Sequence, residues 1–172
     1  MTYDRNTIRF HWTSAALIVA LWVIGQTVDW FPRGRVHTVL WSTHFTLGAL
    51  LILVWLGRIV WRVTSGRRLP GLGSPTLVKL AKAGHGLLYL GIGVVCAIGI
   101  ANLYAHGSGV WGLFHFPKIA DKATRGLISV SHEWGANLLL ALAGGHTLVA
   151  LAHQFVMRDG ALARMWPALS RR

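Results

Sequence analysis

HEWGANLLLALAGGHTLVALAH, residues 132–153, decides how this chain folds. Three histidines, His132, His146 and His153, interrupt a stretch whose single formal charge is Glu133. A run of this length and character suits a helix across a bilayer, whose hydrocarbon core takes about 20 residues of helix to cross. A helix advances about 1.5 Å and turns about 100° per residue, so His132 and His146 point the same way at depths about 21 Å apart. His153 continues the same stripe, about 20° further round, near one end of the run.

Three more apolar runs accompany this one, each closed by turn residues or charges. Together they predict one all-α integral membrane domain over residues 1–172, a bundle of four transmembrane helices at about 8–31, 40–63, 78–104 and 130–157. Composition agrees. The chain is 53% hydrophobic, only 13% charged and holds nine tryptophans, against about 25% charged residues in a soluble domain. Six of those tryptophans, Trp12, Trp30, Trp41, Trp61, Trp111 and Trp134, fall near the expected helix ends, where an aromatic belt sits. The connection at 105–131 is too polar to span, and its aromatics are expected at the interface or capping the bundle.

Orientation follows from the basic residues. Of 17 Lys and Arg, five (Arg33, Arg35, Lys118, Lys122 and Arg125) belong to the first and third loops. The other twelve lie at the N-terminus, the second loop and the C-terminus, which places both termini in the cytoplasm. The net charge of +12 does not mark a nucleic-acid protein, because the basic residues flank apolar runs instead of forming a stripe on a soluble core. The single cysteine, Cys96, lies in an apolar run and reads as a buried thiol. No cleavable signal peptide is expected, since Asp4 sits among the N-terminal basic residues and no small-residue cleavage site follows the first run.

The nine histidines divide by depth. His37, His106 and His115 fall in outer loops or at helix ends and read as solvated or interfacial. His11, His44, His85, His132, His146 and His153 lie in or beside the membrane, where ionisable groups are costly and mark function. Two depths on one helix suit two stacked haems, each needing a second imidazole from another helix. His44, near the outer start of its helix, matches His132 in depth. For His146 the candidates are His11 and His85, and depth does not separate them. Gly48, Gly135 and Gly145 stand beside the histidines, where small residues admit a flat macrocycle or a neighbouring helix equally well. Zinc fits less well, since it wants three or four ligands converging at one depth. The competing class, a histidine-rich membrane protein that binds or transports metal without haem, is separated by a visible spectrum. Glu133, beside the first ligand, reads as a helix-capping acid.

The stretches IRFHW, WSTHFTLG, AGHGLLYL and SHEWGANLLLALAGGHTLVALAHQFVMRDG resemble the bacterial cytochrome b561 family over nearly the whole chain. Its wider superfamily includes the di-haem cytochrome b subunits of nickel hydrogenases and formate dehydrogenases. The resemblance implies two haems b: an outer one on His44 and His132, and an inner one on His11 and His146, a choice that spacing alone left open. It implies a multi-pass protein of the bacterial cytoplasmic (inner) membrane, an electron-transfer protein working with the quinone pool, ubiquinone being the expected acceptor. The electron donor at the periplasmic face is then either a small anion such as superoxide, which makes the chain a quinone-reducing oxidoreductase, or a docked dehydrogenase or hydrogenase partner. His85, His153 and Lys82 are left to frame a quinone or to contact haem propionates, two readings that stay open. Lipid, a quinone and the outer donor are the expected partners; a homo-oligomer is compatible with this reading and nucleic acid is not.

Overall fold

The computed structural model describes residues 1–171; Arg172, one of the basic residues assigned to the cytoplasmic side, lies outside them. Four long helices run up and down: α1 (Arg5–Thr27), α2 (Arg35–Thr64), α3 (Pro75–His106) and α4 (Lys122–Ala152). All four are long and apolar enough to cross a membrane. A π-helical turn, His153–Met157, prolongs α4, and short 3-10 turns fill the tail behind it.

Local chemistry sets the helix ends. Asp4, Ser74 and Asp121 each cap a helix by accepting from the backbone N–H three residues on. Pro75 opens α3, where its missing N–H costs nothing, and Gly107, at φ 63°, closes it in the left-handed conformation. Because Asp121 supplies a cap, α4 starts at Lys122, eight residues before the expected 130. Glu133 therefore sits well inside α4 on an exposed face and caps nothing, contrary to expectation.

α1 packs mainly on α2 and α3 on α4, with lighter contacts closing the ring between α2 and α3 and between α1 and α4. One buried residue from each helix meets in the middle: Leu17, Leu51, Ile92 and Leu139. Around this layer the indole N–H of Trp22 donates to Asn137 (2.8 Å) and that of Trp55 to the Tyr89 carbonyl (3.1 Å). Such bonds between helices are worth about 0.6 kcal/mol each in lipid and fix the rotation of one helix against the next. The outward faces carry Val19, Leu53, Leu90, Leu138 and Leu148, all exposed, as lipid contact requires.

The polar connections fall at two ends. At one, a small hairpin of β1 (Gly109–Val110) and β2 (Phe114–His115) folds over the start of α2. There Trp111 donates its backbone N–H to Ser42 (2.9 Å) and its indole N–H to Thr46 (2.9 Å), so the third loop caps the bundle. At the other end the N-terminus, the second loop and the tail meet. Tyr3 N–H donates to the Arg164 carbonyl, the Trp12 indole to the Met165 carbonyl, and Arg164 to the Pro70 carbonyl.

Asp4 organises that second junction. Its carboxylate accepts from the Thr7 N–H and hydroxyl, the Trp61 indole and the Arg67 N–H, at 2.7–3.0 Å. Burial pushes its pKa up, but these four donors more than offset that and hold the carboxyl well below the usual carboxylate range. A depressed pKa stabilises the fold above the unfolded value of about 4 and ceases to as pH falls through the folded value. Asp4→Ala should cost about 1 kcal/mol, as lost helix caps do. Thermal melting in detergent checks this: the variant melts lower at pH 7, and the gap narrows as pH drops below about 4.

Candidate functional site

Seven-residue steps along α2, α3 and α4 build three layers, which α1 joins in steps of eight and six. α4 presents His132, Leu139 and His146 in turn; α2 presents His44, Leu51 and Arg58; α3 presents Gly99, Ile92 and His85, read in the opposite chain direction. α1 follows with Gly25, Leu17 and His11. Seven residues are almost two helical turns, so members of one stripe face the same way about 10 Å apart. The middle layer is the apolar core already described.

In the hairpin-side layer, His44 and His132 face each other with ring centres 6.2 Å apart. Each ring lies against a glycine of a third helix: a Cβ on Gly25 would stand 3.5 Å from His44 Cε1, and one on Gly99 would stand 3.0 Å from His132 Cε1. The Nδ1 atoms of both histidines are buried without a full hydrogen bond. The carbonyls of Leu21 and Val95, one turn before those glycines, face the two rings short of ideal geometry.

The layer on the terminal side holds three histidines and an arginine. His11 lies 6.2 Å from His146, centre to centre, the separation found in the other pair. His85 also reaches His146, but at 5.0 Å, and its Nδ1 is held by the Ala81 carbonyl at 2.6 Å. Arg58 Nη2 is 3.3 Å from His11 Nδ1, and its guanidinium lies over the Tyr89 ring, 4.9 Å from the centroid. Among the described residues no three His, Cys, Asp or Glu side chains are placed to hold a single metal ion.

His153 stands apart from this layer. It opens the π-helical turn and hydrogen-bonds Asp159 through Nδ1 at 2.5 Å. Asp159 also accepts from the Ala161 N–H; burial pushes its pKa up, but these two bonds bring it below the usual carboxylate range. Asp159 borders a cavity of about 630 Å³ also lined by Thr2, Gln154, Arg158 and Arg164. Lys82 is exposed on α3, one turn before His85. The structure thus brings His85 to His146 and leaves His153 with a different partner.

Elsewhere, His37 pairs with Asp29 (3.4 Å) and His106 with the Ser129 hydroxyl (3.0 Å), as loop and helix-end residues. Of the glycines singled out from sequence, Gly135 packs on Val95, whereas a Cβ on Gly48 or Gly145 would meet nothing within 4 Å. Gly25, Gly99, Arg58 and Asp159 were missed as site residues. For the first three the signal was the 14-residue interval that repeats on α1, α2 and α3 as on α4, where alone histidine stands at both ends; Asp159, beyond α4, carried no such signal.

The chain is similar to known proteins over nearly its whole length. A family model described as prokaryotic cytochrome b561 matches residues 2–168. The "Probable superoxide oxidase CybB" of Yersinia pestis is 30% identical, over 96% of this chain and 96% of its own length. "Cytochrome b561 homolog 2" of Escherichia coli K12 is 31% identical over 95% of this chain and 90% of its own. "Cytochrome b562" of Cereibacter sphaeroides is 28% identical over 95% and 94%.

Proposed function

The chain belongs to the prokaryotic cytochrome b561 family, and from that membership we propose that it holds two haems b and carries electrons between a donor at the outer face and the quinone pool. As a family member it is a multi-pass bacterial membrane cytochrome b of electron transfer, with haem b as cofactor. The observation that carries the finer reading is the pair of matched imidazole couples, His44 with His132 and His11 with His146, each at 6.2 Å.

That separation suits iron. His44 with His132, and His11 with His146, would each hold an iron between them, since a bond of about 2 Å to each imidazole nitrogen fits within the 6.2 Å between ring centres. The 5.0 Å between His85 and His146 is too short for the same arrangement. The Nδ1 atoms of His44 and His132 are buried without a hydrogen-bond partner, and an imidazole that bonds a metal through one ring nitrogen takes its tautomer from what the other meets. A Cβ on Gly48 or Gly145 would meet open space, so neither position is closed against a bound group. Bound haem b supplies a one-electron iron couple, and two imidazoles saturate it against oxygen binding.

The protein's own contribution is separation. Leu139 lies seven residues from both His132 and His146, and the layer it shares with Leu17, Leu51 and Ile92 keeps water and protons from following the electrons. We place both termini in the cytoplasm and the hairpin outside, in the inner membrane, on the twelve-to-five division of basic residues. The outer face then carries Arg33, Arg35, Lys118, Lys122 and Arg125, which draw in a small anion. Superoxide is the donor we favour, on that charge and on the similarity to a probable superoxide oxidase. At the inner end, His153 with Asp159, and His85 with Lys82, offer the hydrogen bonds and protons that a quinone takes up on becoming a quinol.

Purified protein tests this directly. Two haems per chain are expected, reduced by a superoxide pulse that leaves as dioxygen, with added quinone drawing the electrons off as quinol. A colourless preparation overturns the reading. Haems that ignore superoxide but accept electrons from a periplasmic redox protein move the donor to a docked partner.

A further inference from the structure

We propose that Arg58 is the carboxylate anchor of the inner site, pairing with a propionate of the haem held by His11 and His146. The inference rests on the two-haem reading and adds a residue to it.

The argument begins with charge. Arg58 lies about four-fifths of the way along α2, within a membrane-spanning helix, and is only partly exposed. Taking a guanidinium out of water costs several kcal/mol unless an anion meets it. Its described contacts are neutral: His11 Nδ1 and the face of Tyr89. The chain has only five acidic residues. Asp4 is committed to Thr7, Trp61 and Arg67, Asp159 to His153, and Asp121 to the start of α4. Asp29 lies beside His37 before α2, and Glu133 next to His132, both at the hairpin end. Among the described residues no carboxylate side chain serves the layer that holds Arg58.

Position supplies the second half. Arg58 occupies on α2 the layer that His146 occupies on α4, 14 residues from the outer ligand of its helix in each case. It is close enough to act electrostatically on both His11 and His146. The outer layer has glycine at two of its four positions and no cation; the inner layer has none of these glycines and one arginine. A ligand carrying carboxylates next to the inner pair meets a forked donor already held by the Tyr89 ring. Arg58 donation to His11 Nδ1 competes with the tautomer needed for ligation through Nε2, and moving the guanidinium onto a carboxylate removes that competition.

The test uses full-length protein with haem labelled by carbon-13 at the propionate carboxylates. Redox potentials of the two haems and redox-difference infrared spectra are recorded for wild type, Arg58→Gln and Arg58→Lys. Removing the cation should lower the inner potential alone and displace the labelled carboxylate bands. Arg58→Lys should restore most of the potential without restoring the bands, because lysine lacks the fork. If Arg58→Gln loses the inner haem, Arg58→Lys decides by its bands: displaced bands support the pairing. Unmoved bands in whichever variants hold the inner haem overturn it. Loss of the inner haem from both variants, with helix content unchanged and the outer haem retained, also overturns it, since charge alone then does not sustain the site. Failure of the two-haem reading is seen separately, as a wild type without a second haem.

Discussion

His132→Ala is expected to purify with one haem where the two-haem reading gives wild type two, and the one that remains should keep its potential. The substitution removes half of the outer imidazole pair, leaving His44 with no partner 6.2 Å away. The change does not reach the other site. His146 is 14 residues further on, about 21 Å along the axis, and the buried layer of Leu17, Leu51, Ile92 and Leu139 stands between them. Its packing comes from four helices and uses no histidine. The variant should retain the helix content of wild type, as measured by circular dichroism, while haem extracted per chain halves. His146→Ala should do the converse and spare the outer haem. Retention of both haems in His132→Ala, or loss of both with the helices intact, contradicts two independently built sites.

The same layering explains what the sequence disclosed. α4 was legible because histidine marks both ends of its 14-residue interval, and an apolar helix repeats its facing almost unchanged over that distance. Equal intervals on the other helices carry Gly25 with His11, Gly99 with His85, and His44 with Arg58. A glycine in an apolar run looks like any packing residue, and its role appears only when a histidine from another helix is found against it. Arg58 was hidden differently. Near a helix end it counted as one more basic residue on the cytoplasmic side, whereas its neighbours His11 and Tyr89 belong to α1 and α3. The four spans needed no such tertiary information, since lipid asks only for length and apolarity. The capping hairpin did, because Ser42 and Thr46 become acceptors for Trp111 only once the third loop folds back over α2.

His11→Ala is expected to lose the inner haem, and His85→Ala to keep both. Spacing along the helices left these two residues tied as partners of His146, and both do reach it in the folded chain. Distance separates them. His11 stands 6.2 Å from His146, the separation of the outer pair, whereas His85 stands at 5.0 Å. Engagement points the same way. The Nδ1 of His85 is fixed on its own helix by the Ala81 carbonyl, and its ring is exposed at the edge of the layer, so it is free to meet a ligand arriving from the membrane. Removing it should therefore leave the haem count at two and slow the transfer of electrons to added quinone, read as a raised KM for quinone with the superoxide-driven reduction of the haems unchanged. A redox-titrated spectrum of each variant checks the first half, and quinol formation the second. If His85→Ala loses a haem while His11→Ala keeps two, the assignments of α1 and α3 exchange, and the quinone is to be sought beside His11.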